Sequence, residues 1–282
     1  MIENTPSLTI YQHTVLQFLN SKIMDITYGT MIFRKDGAGR QFLCPASLLE
    51  KLDGKQLNIT VTGVDGSIRE YPIFQQKAEN YGDYSEYMTR HGCACCSLTT
   101  LLAAYKPEYR NLRPDQTIKQ VEKKYFPEKV WQKNYSRHIA RQMPVSLYGI
   151  SCILEKEQIA HRYVGDFQDR DAENEIRAHL LSGRPVVIET SRMKRENGRI
   201  VKWFDKRFAG SYHTMILLGM DENYQVIFTD SATRAWAGNW QRLKKATLED
   251  LISYMFPQKN TSDTHLYFSR RKNTGGYILL EE

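Results

Sequence analysis

Apolar residues recur along this chain with two different periods. Between residues 57 and 73 they alternate, and "LNITVTGVDGSIREYPI" reads as a β-hairpin turning at Asp65-Gly66. From Cys93 onward Leu98, Leu101, Leu102 and Tyr105 follow the helical spacing, which predicts a helix with one face on a core. Asp115 is placed to cap a second helix carrying Ile118, Val121 and Tyr125 on one face. A third runs from about Asp171 to Leu181, stops at Gly183 and leads into a strand, "RPVVIET". Two apolar strands follow, at 214–219 and 225–230, and Thr247 opens a short helix with Leu248, Leu251, Ile252 and Met255 on one side. The closing "LYFSRRKNTGGYILL" reads as a last hairpin. Residues 1–70, punctuated by Asp36-Gly37, Asp53-Gly54 and Asp65-Gly66, read as a small α/β accessory region ahead of a main domain at 71–282. The predicted class is α+β.

Composition narrows the setting. With 41% hydrophobic and 25% charged residues the chain has an ordinary globular profile, and no apolar run approaches the ~20 residues of a membrane span. The N-terminus lacks a basic segment followed by an apolar core, so no signal peptide is expected. Five cysteines, an odd number with two adjacent, fit a reduced compartment, and the cytoplasm is the expected location. The net charge of +7 comes without zinc-finger spacing or an RNA-binding signature, so no nucleic-acid partner is expected. A lone G-x-G in "DGAGR" is too little to imply a nucleotide. The sequence carries no signal for an oligomeric state.

Three of the cysteines fall within four residues, in "HGCACCSLTTLLAAY". Taken alone the cluster admits three readings: buried small residues, a metal site, or a nucleophile. Under the third, Cys93 lies in the first turn of its helix, where free N–H groups and the dipole lower a thiol's pKa. Cys95 and Cys96 then pack as small apolar residues. Under the second, Cys93, Cys95 and Cys96 hold a soft metal with Cys44 or Cys152, although C-x-C-C lacks the distant second pair of structural zinc sites.

A thiolate nucleophile needs a base. His213 opens one apolar strand and Asp230 closes the next. A turn centred on Asp221 and Glu222 sets Met220 against Asn223, and carrying that register outward sets His213 directly opposite Asp230, on the same sheet face. The carboxylate would then orient the imidazole. For the oxyanion, the Cys93 N–H offers one donor, and Gln75 or Gln76, in "PIFQQ", a second.

These segments in order, "FQQKAENYGDYSEYMTRHGCACCSLTTLL", "LLSGRPVVIE" and "SYHTMILLGMDENYQVIFTDSA", resemble the papain-like cysteine peptidases related to the bacteriocin leader-processing family. The resemblance spans roughly residues 71–257. It implies the papain-like fold, Cys93 as nucleophile, His213 as base, Asp230 as orienting acid, and Gln76 or Gln75 as oxyanion donor. Two positions depart from the family pattern: Ala94 replaces the glycine after the nucleophile, and Ser231 replaces the proline after the acid. The implied activity is hydrolysis of peptide or amide bonds through a thioester, on a peptide or protein substrate, with no cofactor and no metal. Transfer of the acyl group to an amine is the alternative on the same fold.

One segment adds a specificity expectation. "SRMKRENGRIVKWFDKRFAG" carries Arg192, Lys194, Arg195, Arg199, Lys202, Lys206 and Arg207 against Glu196 and Asp205, seven minus two, or +5, just before His213. Such a run reads either as a solvated loop or as a lip that favours acidic peptides.

Overall fold

The computed structural model describes residues 27–28, 30–35, 41–45, 50–51, 57–62, 68–76, 81–125, 147–203, 212–232, 243–257 and 275–281. Two sheets carry the architecture. The smaller has the strand order β3-β2-β5-β6, from β2 (Thr30–Lys35), β3 (Gln41–Pro45), β5 (Leu57–Thr62) and β6 (Ile68–Ile73); β1 (Thr27–Tyr28) pairs with β4 (Glu50–Lys51). The expected hairpin is present, since β5 and β6 pair antiparallel from Thr62↔Ile68 to Leu57↔Ile73.

The larger sheet is antiparallel, in the order β13-β12-β11-β8-β14-β7. Its strands are β7 (His161–Val164), β8 (Val186–Ser191), β11 (Tyr212–Met220), β12 (Gln225–Thr229), β13 (Leu243–Thr247) and β14 (Tyr277–Leu280). A separate ribbon pairs β9 (Lys194–Glu196) with β10 (Arg199–Lys202). Alternate residues of the large sheet serve two cores, as the period of two requires. Val187, Ile216, Leu218, Ile227 and Ile278 pack on one side with helices α1 (Ser85–Tyr105) and α3 (Leu147–Lys156). Val186, Ile188, Met215, Leu217, Phe228 and Leu279 pack on the other with α4 (Asp169–Leu181) and α5 (Leu248–Ile252). The first core also takes Ile59, Val61, Tyr71 and Ile73 from β5 and β6, so the N-terminal strands are buried against α1.

Helix α2 (Pro114–Tyr125) buries Ile118 and Val121 as their spacing predicts, but Asp115 lies inside its first turn rather than at its cap. The start is satisfied instead by Gln116, whose side-chain oxygen accepts from the Arg113 N–H at 2.9 Å. Helix α4 begins at Asp169, two residues before the expected start. At α5 the Thr247 hydroxyl accepts from the Asp250 N–H, the cap its sequence predicts. Of the expected closing hairpin only its second strand falls on described residues, as β14, which lies between β8 and β7 and pairs with both; residues 266–272 do not. No helix among the described residues is long and apolar enough to cross a membrane.

Candidate active site

Cys93 lies in the middle of α1, not at its tip. The helix starts at Ser85, so Cys93 is its ninth residue. In an unbroken α-helix the Cys93 N–H is directed at the Thr89 carbonyl. It is therefore neither a free oxyanion donor nor at the positive end of the dipole, contrary to the expectation. His91 is also helical in its backbone. The apolar spacing runs upstream of Gly92: Tyr84, Tyr87, Met88 and Cys95 fall in one cluster with Phe74 and Ile118.

Helix α1 approaches β11 at Ser97, whose hydroxyl donates to the Thr214 carbonyl at 3.4 Å. One turn earlier on α1, Cys93 meets the beginning of the same strand, where His213 and the Thr214 backbone stand close enough to its sulfur to lower the thiol's pKa. His213 Nε2 lies 2.8 Å from Asp230 Oδ1, which leaves the other ring nitrogen for the thiol. Asp230 is saturated: Oδ1 also accepts from the Ala232 N–H at 2.9 Å, and Oδ2 pairs with Lys244. Cys93, His213 and Asp230 are each at most 3% exposed.

The way His213 and Asp230 meet corrects the expected register. Met220 pairs with Val226 and Gly219 with Ile227, not with Asn223 and Tyr224. Continued without interruption, that pairing would set His213 and Asp230 on opposite faces. A β-bulge intervenes between Leu217 and Gly219, and Leu217 pairs with Phe228. The Ile216 N–H then donates to Thr229 Oγ1 at 3.0 Å, which carries the shifted register on toward Asp230. His213 and Asp230 become diagonal neighbours on one face, within reach of long side chains. The expected register is off by two residues, which preserves the face.

The charges reinforce one another. Burial alone would raise the Cys93 thiol, but the His213 hydrogen bond and charge outweigh it and hold the thiol below its ordinary value. Burial would lower His213, yet the Asp230 charge and hydrogen bond, with Cys93, raise it to about 9. Burial opposes ionisation of Asp230, while His213 and Lys244 together hold it well below the usual carboxylate range. Cys95 differs, because burial pushes it up to about 12. It packs with Cys96 among Phe74, Tyr81 and Tyr84. No group of three His, Cys, Asp or Glu side chains among the described residues is arranged to hold a metal ion. Cys152 lies on α3, and the side chain of Cys44 is not among those described.

The two glutamines separate. Gln76 is joined to the strand end carrying Asp230: its N–H donates to the Ser231 carbonyl at 2.9 Å, and its Oε1 accepts from the Ser231 hydroxyl at 3.1 Å. Its Nε2 donates to the Thr89 carbonyl at 3.3 Å. Gln75 is fully buried; its carbonyl accepts from Tyr81 and neither amide atom of its side chain has a partner. Gln76 also explains Gly92, the residue before Cys93. A Cβ at Gly92 would stand 2.7 Å from Gln76 Cβ and 2.9 Å from Met88 Cε. Gly92→Ala is therefore expected to cost about 1–3 kcal/mol in denaturant unfolding, because a side chain so close to its own backbone cannot step aside. An unchanged midpoint would mean that Gln76 does not abut the helix.

The sequence model of the Peptidase C39 like family matches residues 68–258, about two thirds of the chain. The chain belongs to this family. Its α+β architecture, with a helix-borne cysteine packed on an antiparallel sheet, is thus the papain-like one, and the chain is related to peptidases. Neither the curated proteins nor the solved structures contain a match to it.

Two side chains of this C39-like site escaped the sequence reading. Lys244 stands on β13 opposite Phe228, diagonal to Asp230, and only the strand order reveals the pair. Glu189 is the one charged residue of β8, directly after the apolar Val186, Val187 and Ile188, and that placement is the signal that could have found it. The basic segment is partly neutralised within the fold. Arg195 is buried against Asp169 at 2.8 Å, and Lys194 lies 3.7 Å from Glu196 and 3.9 Å from Asp250. These residues line a cleft of about 590 Å³ that shares no residue with the Cys93 site. Residues 204–211, which include Lys206 and Arg207, lie outside the described ones.

Proposed function

We propose that this chain is a cysteine peptidase in which Cys93 is the nucleophile, His213 the general base and acid, Asp230 the orienting carboxylate and Gln76 an oxyanion donor. The observation that carries the reading is a buried imidazole bonded through Nε2 to a carboxylate and standing within electrostatic reach of a buried thiol. Asp230 accepts the Nε2–H and so fixes the tautomer whose other nitrogen takes the thiol proton. The thiolate adds to a peptide carbonyl, and the oxyanion is met by Gln76 Nε2, whose present bond to Thr89 is long enough to be exchanged. The imidazolium gives its proton to the leaving amine and a thioester remains. Neutral His213 then takes a proton from water, hydroxide adds to the thioester, and the thiolate leaves with the acid product released. Each proton is returned, so the cycle requires no metal or cofactor.

The substrate is a peptide or protein. A preference for acidic peptides draws on Arg199 and the exposed Trp203 rather than on the internally paired Arg195. The test is acid quenching during turnover of a peptide library, followed by intact-mass and peptide mapping. An acyl adduct on Cys93 that yields free acids is the expected result. Adducts that appear only as amides when an amine is added indicate transfer, and the absence of any adduct together with unaltered peptides refutes acyl chemistry.

A further inference from the structure

Glu189 lies on β8 directly opposite Thr214, the residue after His213, whose backbone helps to lower the Cys93 thiol. Directly opposed residues share a sheet face with Cβ atoms ~4.5–5.5 Å apart, so the carboxyl group stands beside the site. Glu189 is 2% exposed, and neither of its oxygens has a hydrogen-bond partner. It is the only buried carboxyl group among the described residues with both oxygens unpaired.

Its surroundings explain how the group is kept. Cys93 on α1, His213 on β11 and Tyr163 on β7 all lie within electrostatic range of it. The Leu147 N–H at the start of α3 approaches it without closing a hydrogen bond. On β14 the pairing of Tyr277 with Ile188 brings Gly276 alongside, which offers no side chain. No cation is bound to it, and the His213 charge is already matched by Asp230. A buried carboxyl so placed keeps its proton, and burial and the Cys93 charge do raise Glu189 well above the usual carboxylate range. A protonated carboxyl is a hydrogen-bond donor, and here the donor has no acceptor.

We propose that Glu189 serves this site as a neutral carboxylic acid, turning to donate a hydrogen bond to the anion that forms at Cys93. The inference rests on the reading of Cys93 as the nucleophile. It supplies a donor where α1, continuous through Cys93, withholds its own N–H. The acceptor is the thiolate in the free protein and the negatively charged sulfur or oxygen of the reacting centre during acyl transfer. No bond to Glu189 is made or broken, and its proton stays in place.

The test uses the full chain and iodoacetamide, and follows Cys93 alkylation by mass mapping between pH 5 and pH 9. Glu189→Gln keeps a donor without an ionisable group and should stay within about twofold of the parent rate at pH 6. Glu189→Leu removes the donor and should react about tenfold more slowly at that pH, since hydrogen bonds to charged groups are the strong ones. Equal loss in both variants assigns the effect to a carboxylate charge and overturns the proposal, as does a Leu variant that matches the parent. An infrared band of a protonated carboxyl group, lost in Glu189→Gln, should be present in the parent; its absence also overturns the proposal and does not depend on how well Glu189→Leu folds. A parent Cys93 no more reactive than an unfolded cysteine overturns the nucleophile reading itself. A reactive Cys93 with an unaffected Leu variant overturns the role of Glu189 alone.

Discussion

Replacing Cys93 by alanine is expected to abolish peptide cleavage, with kcat falling on the order of 10⁶-fold toward the background rate. His213→Ala should cost a similar factor, because the thiolate, its proton and the proton for the leaving amine all pass through this pair. The double variant should be no worse than either single one, since the groups act as a unit. Cleavage of a peptide library, read by mass spectrometry of the new termini, measures this. Additive losses, or substantial turnover by Cys93→Ala, would remove these side chains from the chemistry. Circular dichroism on each variant separates loss of chemistry from loss of fold.

The second large effect concerns Asp230 and pH. Asp230 is the main influence raising His213 to about 9, so the imidazolium persists as pH rises until about pH 9. The lower limit of the active window is the pH at which the depressed Cys93 thiol ionises. Removing the carboxylate leaves a buried imidazole beside the Lys244 ammonium, and both disfavour its protonation. Asp230→Ala should therefore move the alkaline limb of kcat/KM down by at least one pH unit and lower its maximum by about 10²–10⁴. Asp230→Asn keeps a hydrogen-bond acceptor for His213 and should fall between the parent and Asp230→Ala. An alkaline limb that stays in place in Asp230→Ala would show that another group sets it.

The elements of this fold were more legible in the sequence than their connections. The apolar pattern located α4 by one continuous face against a single core, and β8, β11 and β12 as apolar runs whose alternate residues fill both cores. It missed the first eight residues of α1, since the start was set by the spacing from Leu98 to Tyr105 although Tyr84, Tyr87 and Met88 already repeat at helical spacing. Within that stretch Gly92 has a packing reason, the approach of Gln76. The place of β14 between β7 and β8 was invisible because both pairings span more than 80 residues of sequence. Non-local pairing leaves no local pattern. The bulge between Leu217 and Gly219 left one local trace, the glycine within an apolar strand, but that alone does not set the direction or size of the register shift.

The candidate site was legible to different degrees. Cys93, His213 and Asp230 were marked by motif and resemblance, but the source of the thiol's acidity was misread. A helix tip was expected, whereas the buried imidazole and its carboxylate supply the effect here. The choice of Gln76 over Gln75 needed the contacts with Ser231 and Gly92, which a sequence cannot display. Lys244 became visible only once β13 was known to flank β12.

The central claim is that one thiol among several near neighbours is set apart by His213, and competitive labelling tests it most directly. Intact protein is treated with limiting iodoacetamide at pH 6, and the modified cysteines are mapped by mass spectrometry. The account predicts Cys93 as the first and dominant site, because its thiol alone is drawn down by an imidazole. Cys95, pushed up to about 12, and Cys152, raised by burial, should remain unmodified on that timescale. Labelling that is uniform across the three, or that begins at Cys95 or Cys152, would contradict it.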